Sequence, residues 1–241
     1  MPAVTLDELT IADEPAAWSA LGFAVAGDAC RVGGVLLRLA GRDALRAGDV
    51  PRAAGAPMPA GASSGLVGWT LRGAASEQLD GLPTRRADDT SDAAADDDGR
   101  APADAAPVAH PNGVSALDHV VAIAPALDRT VAALQAAGLD LRRVREEPTP
   151  AGAPRQAFLR LGEAILEVVQ APDDALARSG GPDGPAFFWG LAFKTPDLDA
   201  TVAAIGEGRC SPPRPAVQPG RRIATLRRAA GLALPVALMT E

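Results

Sequence analysis

One segment of the C-terminal half occurs twice. Pro125-Ala-Leu-Asp-Arg-Thr-Val-Ala-Ala-Leu134 recurs about 71 residues later as Pro196-Asp-Leu-Asp-Ala-Thr-Val-Ala-Ala-Ile205, identical at seven of ten positions. Each copy follows a strand-like run, Leu117 to Ala124 and then Phe187 to Lys194. The same offset lays Ile165-Leu-Glu-Val-Val169 on Val236-Ala-Leu-Met-Thr240. A duplicated supersecondary unit is the simplest cause, and it restricts the fold more than composition does.

The order within the first copy reads β-α-β-β-β. Leu127, Val131 and Leu134 recur at helical spacing, with Asp128 at the positive end of the helix dipole and Gly138 as the stop. Leu141 to Arg145, Gln156 to Leu161 and Ala164 to Gln170 read as strands, the last two joined by a Gly162-Glu163 turn. The second copy has a helix over Leu198 to Ile205 and strands near 215–218, 221–228 and 234–240. The N-terminal half repeats the pattern more faintly. Leu6-Asp7-Glu8-Leu9-Thr10-Ile11-Ala12 parallels Leu117-Asp118-His119-Val120-Val121-Ala122-Ile123. A short helix over Pro15 to Leu21 follows, then Val32 to Leu39, with Gly33-Gly34 read as a hairpin turn. Gly65 to Arg72 parallels the strand that opens at Phe187. Between the halves, 87–109 holds seven aspartates and no hydrophobe larger than valine, so it reads as an acidic, disordered linker. The expected organisation is a degenerate module or modules over 1–86, that linker, and a paired domain over 110–241.

Net charge is −7 and the pI is near 4.9, which excludes a basic nucleic-acid surface and a polybasic membrane patch. Apolar runs are too short to span a bilayer, and MPAVTLDELT does not read as a signal peptide, so a cytoplasmic protein is expected. Cys30 and Cys210 form no metal or redox spacing and read as reduced thiols.

Tandem βαβββ modules, a Leu-Asp-His opening strand and a Gly-Glu-x-x-Leu-Glu closing strand resemble the vicinal oxygen chelate superfamily: glyoxalases, extradiol dioxygenases and bleomycin-resistance proteins. The resemblance implies an α+β fold whose strands curl into a cup around a small-molecule pocket. In metal-dependent members each module supplies one ligand from its first strand and one from its last. On this chain those positions are His119 and Glu167 in the first module, an imidazole and a carboxylate suited to a divalent ion. In the second they fall on Gly190 and Leu238, which cannot ligate through their side chains. In the N-terminal echo, Glu8 takes the place of His119, Arg38 that of Glu167 and Gly68 that of Gly190.

The expectation is therefore a glyoxalase-like protein whose metal site is degraded, binding a small hydrophobic or anionic molecule without a cofactor. His119, Glu167 and Trp189 are its ligand-binding candidates, and a homodimer is compatible with this organisation. The alternative is a metal-dependent lyase, isomerase or dioxygenase holding Zn, Ni, Mn or Fe at His119 and Glu167, with further ligands from Glu8, a second chain or the substrate. The arginine clusters 142–145 and 221–228 read as solvated or ion-paired, and His110 as part of the turn feeding the first strand.

Overall fold

A computed structural model describes residues 3–45, 65–87, 108–148, 155–172, 176 and 181–241. Most of the expected linker, 88–107, lies outside the described residues.

The C-terminal half builds one eight-stranded sheet. Its strands are β6 (Ala116–Ala124), β7 (Asp140–Arg145), β8 (Gln156–Leu161), β9 (Ala164–Gln170), β10 (Phe187–Thr195), β11 (Arg214–Pro215), β12 (Arg222–Thr225) and β13 (Val236–Thr240). They lie in the order β11-β12-β13-β10-β6-β9-β8-β7. The two repeats meet at the centre, where β6 and β10 run antiparallel with Gly190 opposite Val121 and Ala192 opposite His119. An offset of 71 exchanges these two pairs, so a pseudo-twofold axis passes between the strands. Each opening strand runs parallel to its own closing strand, β6 with β9 and β10 with β13.

The N-terminal half forms a smaller sheet of the same design. Its strands are β1 (Thr5–Ile11), β2 (Ala29–Val32), β3 (Val35–Leu39), β4 (Leu66–Arg72) and β5 (Thr84–Ala87). Their order is β2-β3-β1-β4-β5, with β1 and β4 antiparallel at the centre and β3 and β5 parallel to them. The β2–β3 turn is Gly33-Gly34, as expected; Gly33 has φ +59°, a conformation that costs a residue without Cβ little. Nothing in the sequence marks the strand β5. Its four residues, Thr-Arg-Arg-Ala, carry no apolar alternation.

Period-2 burial gives both sheets an apolar back. Leu9, Ile11, Leu37, Leu39, Trp69 and Leu71 in the small sheet, and Val120, Ala122, Ala124, Leu166 and Val168 in the large one, are buried. The helix α2 (Leu127–Ala136) covers β7–β9, and α3 (Leu198–Ile205) covers β12 and β13. Between them the small sheet and its helix α1 (Pro15–Ser19) dock on β10, with Trp18 edge-on to Phe193 at 6.0 Å and Trp69 edge-on to Phe188 at 5.0 Å. One hydrophobic core thus runs through both halves. Polar ties close the joint. The buried Asp13 accepts from Ala233 N–H at 2.8 Å and from the Trp18 indole at 3.2 Å. His110 Nδ1 accepts from Ala24 N–H at 3.0 Å, so this histidine does more than feed a turn.

Candidate functional site

The outer face of the large sheet carries the candidate residues. On β6, His119, Val121 and Ile123 are partly exposed while their neighbours are buried. Alternation alone would put Asp118 and His119 on opposite faces. A β-bulge prevents this: Leu117 pairs with Phe193 and His119 with Ala192, leaving Asp118 as the extra residue. Asp118 Oδ1 can then meet the adjacent His119 Nδ1, at 2.7 Å.

The bulge recurs in every opening strand. Trp189 is the extra residue in β10, Asp7 in β1 and Val67 in β4. Each copy therefore presents a bulge residue followed by the residue at the His119 position: Asp118-His119, Trp189-Gly190, Asp7-Glu8 and Val67-Gly68.

Around His119 the groups form a chain. Arg221 donates to Asp118 Oδ2 at 2.6 Å and is itself fixed on Thr240 O at 2.8 Å. Asp118 takes the Nδ1–H of His119. Nε2 then faces Glu167 Oε2 at 3.5 Å, and Gln156 donates its amide N–H to Glu167 Oε1. His119 and Glu167 side chains are 16% and 17% exposed, so a small molecule can reach both while little water competes. Burial alone would raise the Asp118 carboxyl, but hydrogen bonds from His119 and Arg221 outweigh it and hold the pKa at about 2. Burial also pushes Glu167 up, and there His119 and Gln156 offset it only in part. Two carboxylates thus flank one imidazole, one firmly anionic and one easier to protonate. Such an array can accept or donate a proton at Nε2 and Oε2.

The structure brings His119 and Glu167 together; the second-module positions do not complete the set. A Cβ on Gly190 would lie 2.5 Å from Pro235 O, so no side chain fits there. The register also corrects the other position. Glu167 pairs with Val121, and the equivalent pair in the second module is Ala237 with Ala192. Leu238, which the offset selects, is fully buried on the back face. Ala237 is no more able to ligate than Leu238. Glu8 lies in the other sheet and is paired with Arg38 at 3.3 Å, so it cannot supply a third ligand here. Among the described residues the side-chain donors number fewer than the three of an open catalytic zinc site, and a resident metal does not fit them well.

Trp189 is 41% exposed beside Gly190, whereas Trp18 and Trp69 are buried. A shallow cavity of about 620 Å³ opens beside the site and is lined by Ala116, Asp118, Ile165, Lys194 and Arg221, among others. Of the expected surface arginines, Arg142, Arg145 and Arg222 are paired with Asp140, Glu147 and Asp199. Arg221 is the exception that reaches the site. Gln156 and Lys194 carry no signal of their own, because a lone polar residue in a strand gives no sign of which neighbours it meets. Both thiols are buried, and burial raises the Cys30 pKa to about 12, which leaves it unreactive. No helix of the described residues is long and apolar enough to cross a membrane.

No family model and no curated protein matches the sequence. Among solved structures, the chain is similar to a methylmalonyl-CoA epimerase from Mycobacterium tuberculosis, at 18% identity and a TM-score of 0.42, over 53% of this chain and 89% of that one. It is also similar to a Streptomyces coelicolor methylmalonyl-CoA epimerase variant solved with 2-nitronate-propionyl-CoA, at 24% identity and 0.43, over 53% and 98%. A hypothetical protein from Bacillus halodurans C-125 matches at 16% and 0.41, over 52% and 93%. The strand order, the parallel pairing of each opening strand with its closing strand and the central pseudo-twofold are the arrangement that the resemblance to the vicinal oxygen chelate superfamily implies.

Proposed function

We propose that the outer face of the large sheet binds a small organic molecule without a resident metal, with His119 and Glu167 as its polar contacts and Trp189 as an apolar one. The observation that carries this reading is the alignment Arg221–Asp118–His119–Glu167. It spends Nδ1 of the imidazole on Asp118 and leaves Nε2 facing Glu167 Oε2, with both side chains partly exposed. The protein would work in the cytoplasm, as a monomer or a homodimer.

The test uses the chain's own fluorophores. With Trp18 and Trp69 buried, a ligand on this face alters chiefly the emission and quencher access of Trp189. A metabolite library should contain compounds that shield Trp189 from acrylamide, and His119→Gln should weaken that binding at least tenfold. A library that never moves Trp189, while Trp189→Phe shows that the residue reports, sinks the proposal.

The second reading is a metal-dependent lyase, isomerase or dioxygenase. One observation favours it: Nε2 and Oε2 lie 3.5 Å apart, close to the roughly 3.4 Å edge of tetrahedral zinc coordination. About one metal per purified chain, lost in His119→Ala, would establish this reading over the first.

A further inference from the structure

The cavity beside His119 contains a cation that no mechanism above uses. Lys194 lies on β10 opposite Ala116, two residues beyond the Ala192–His119 pair, and shares the cavity wall with Ala116, Asp118, Ile165 and Arg221. Among the described residues its ammonium has no hydrogen-bonding or ion-pair partner. Of the other charges around it, Arg221 and Asp118 offset each other, while Glu163 and Glu241 have no cationic partner among the described residues. Arg221 is held by Asp118 at 2.6 Å, and Glu241 accepts from Ser115 Oγ at 3.1 Å. The remaining wall acid, Glu163, is exposed on the β8–β9 turn.

We infer that this cavity takes the carboxylate of an amphiphilic acid, with Lys194 as its counter-ion. The inference rests on the ligand-binding reading above and names the ligand's class. An ammonium is a compact charge with three rotatable donors, suited to a carboxylate approaching from an open side. From the Lys194–Ala116 row the face runs past Ile165 and His119 to Val121 and Ile123, roughly 13 Å from Ala116 to Val121 at strand spacing. A polar mouth, one proton-exchanging pair and an apolar far end match a molecule with a carboxylate head, a reactive or polar group a few atoms on, and an aliphatic tail.

The sequence makes a direct experiment available, because Lys194 is the only lysine among 23 lysine and arginine residues. An N-hydroxysuccinimide acetate therefore acylates the full chain at Lys194 and at the α-amine, which mass spectrometry separates. Octanoate should slow acylation of Lys194 at least fivefold and leave the α-amine rate unchanged. Neutral octanamide and cationic octylamine should not protect. Trp189 emission is read in the same titrations, and Lys194→Gln should lose the preference for acid over amide while keeping its response to the amide. No protection by octanoate, or equal protection by octanamide or octylamine, overturns the inference. If Trp189 responds to acid and amide alike while Lys194 stays unprotected, the face binds ligands and only the carboxylate assignment falls. If neither Lys194 nor Trp189 responds, both proposals fall.

Discussion

Replacing Asp118 by asparagine keeps the shape and removes the charge at the centre of the site. Asp118 has a folded pKa of about 2 against an ordinary 3.8, a gap equivalent to about 2 kcal/mol of folding free energy at neutral pH. The side chain is only 8% exposed, so solvent screening takes little from that figure. Because the folded pKa is depressed, the stabilisation is present above pH 4 and is lost as pH falls toward 2; at pH 3 about half should remain. Asp118→Asn should therefore cost about 2 kcal/mol in urea denaturation at pH 7 and about 1 kcal/mol at pH 3. The variant also carries a chemical signature. With Arg221 still donating to the asparagine oxygen, the amide N–H must face His119 Nδ1, which moves the ring proton to Nε2. Nitrogen NMR of the imidazole reads that tautomer. A penalty under about 0.5 kcal/mol at pH 7, or one of equal size at both pH values, would refute the electrostatic account of this carboxylate.

Three further outcomes follow from the same structure. Glu167→Gln should raise Tm by a few degrees at pH 7 and by nothing at pH 4. Burial raises the folded pKa above the unfolded one, so ionisation opposes folding only at the higher pH; calorimetry at the two pH values checks the sign. Asp13→Ala should cost about 3 kcal/mol in chemical denaturation, because it strands the Ala233 and Trp18 N–H groups at the joint between the sheets. Gly190→Ala should cost more than about 2 kcal/mol, whereas Gly68→Ala, whose Cβ would lie 3.4 Å from Pro83 O, should cost under about 1 kcal/mol by thermal melts.

What the sequence disclosed depended on period. The duplicated helices were legible because seven identities in ten fix their alignment, and the opening strands because their hydrophobic runs are long. The closing strand of the second copy was legible as a strand but not in register. Val236-Ala-Leu-Met-Thr240 is apolar nearly throughout, so a one-residue slip leaves the pattern intact while turning every side chain to the other face. That slip is why Leu238 stood in for Ala237. Asp118 was hidden for a related reason: period-2 reasoning places it behind the sheet, and only the bulge brings it beside His119. Arg221 comes from a loop about a hundred residues away, and no local pattern marks which of two adjacent arginines, 221 or 222, turns inward.

The bulge also changes what Gly190 means. Read as a ligand position, it is a loss. In the structure it meets a backbone demand shared by the two second-module strands. The N–H after the glycine donates to a proline carbonyl that leads into the closing strand, Leu191 to Pro235 O and Trp69 to Pro83 O, each at 3.1 Å. The glycine leaves room for that carbonyl, most tightly at 190. The first-module strands carry a polar pair at the same two positions, Asp118-His119 and Asp7-Glu8. The copies therefore divide the work: one presents side chains to the outer face, and its partner admits a backbone turn that anchors the closing strand. A ligand set symmetric about the pseudo-twofold would need a side chain where that turn passes. The chemistry of this face must come from one module, from the cavity flanking it, and from whatever the ligand itself brings.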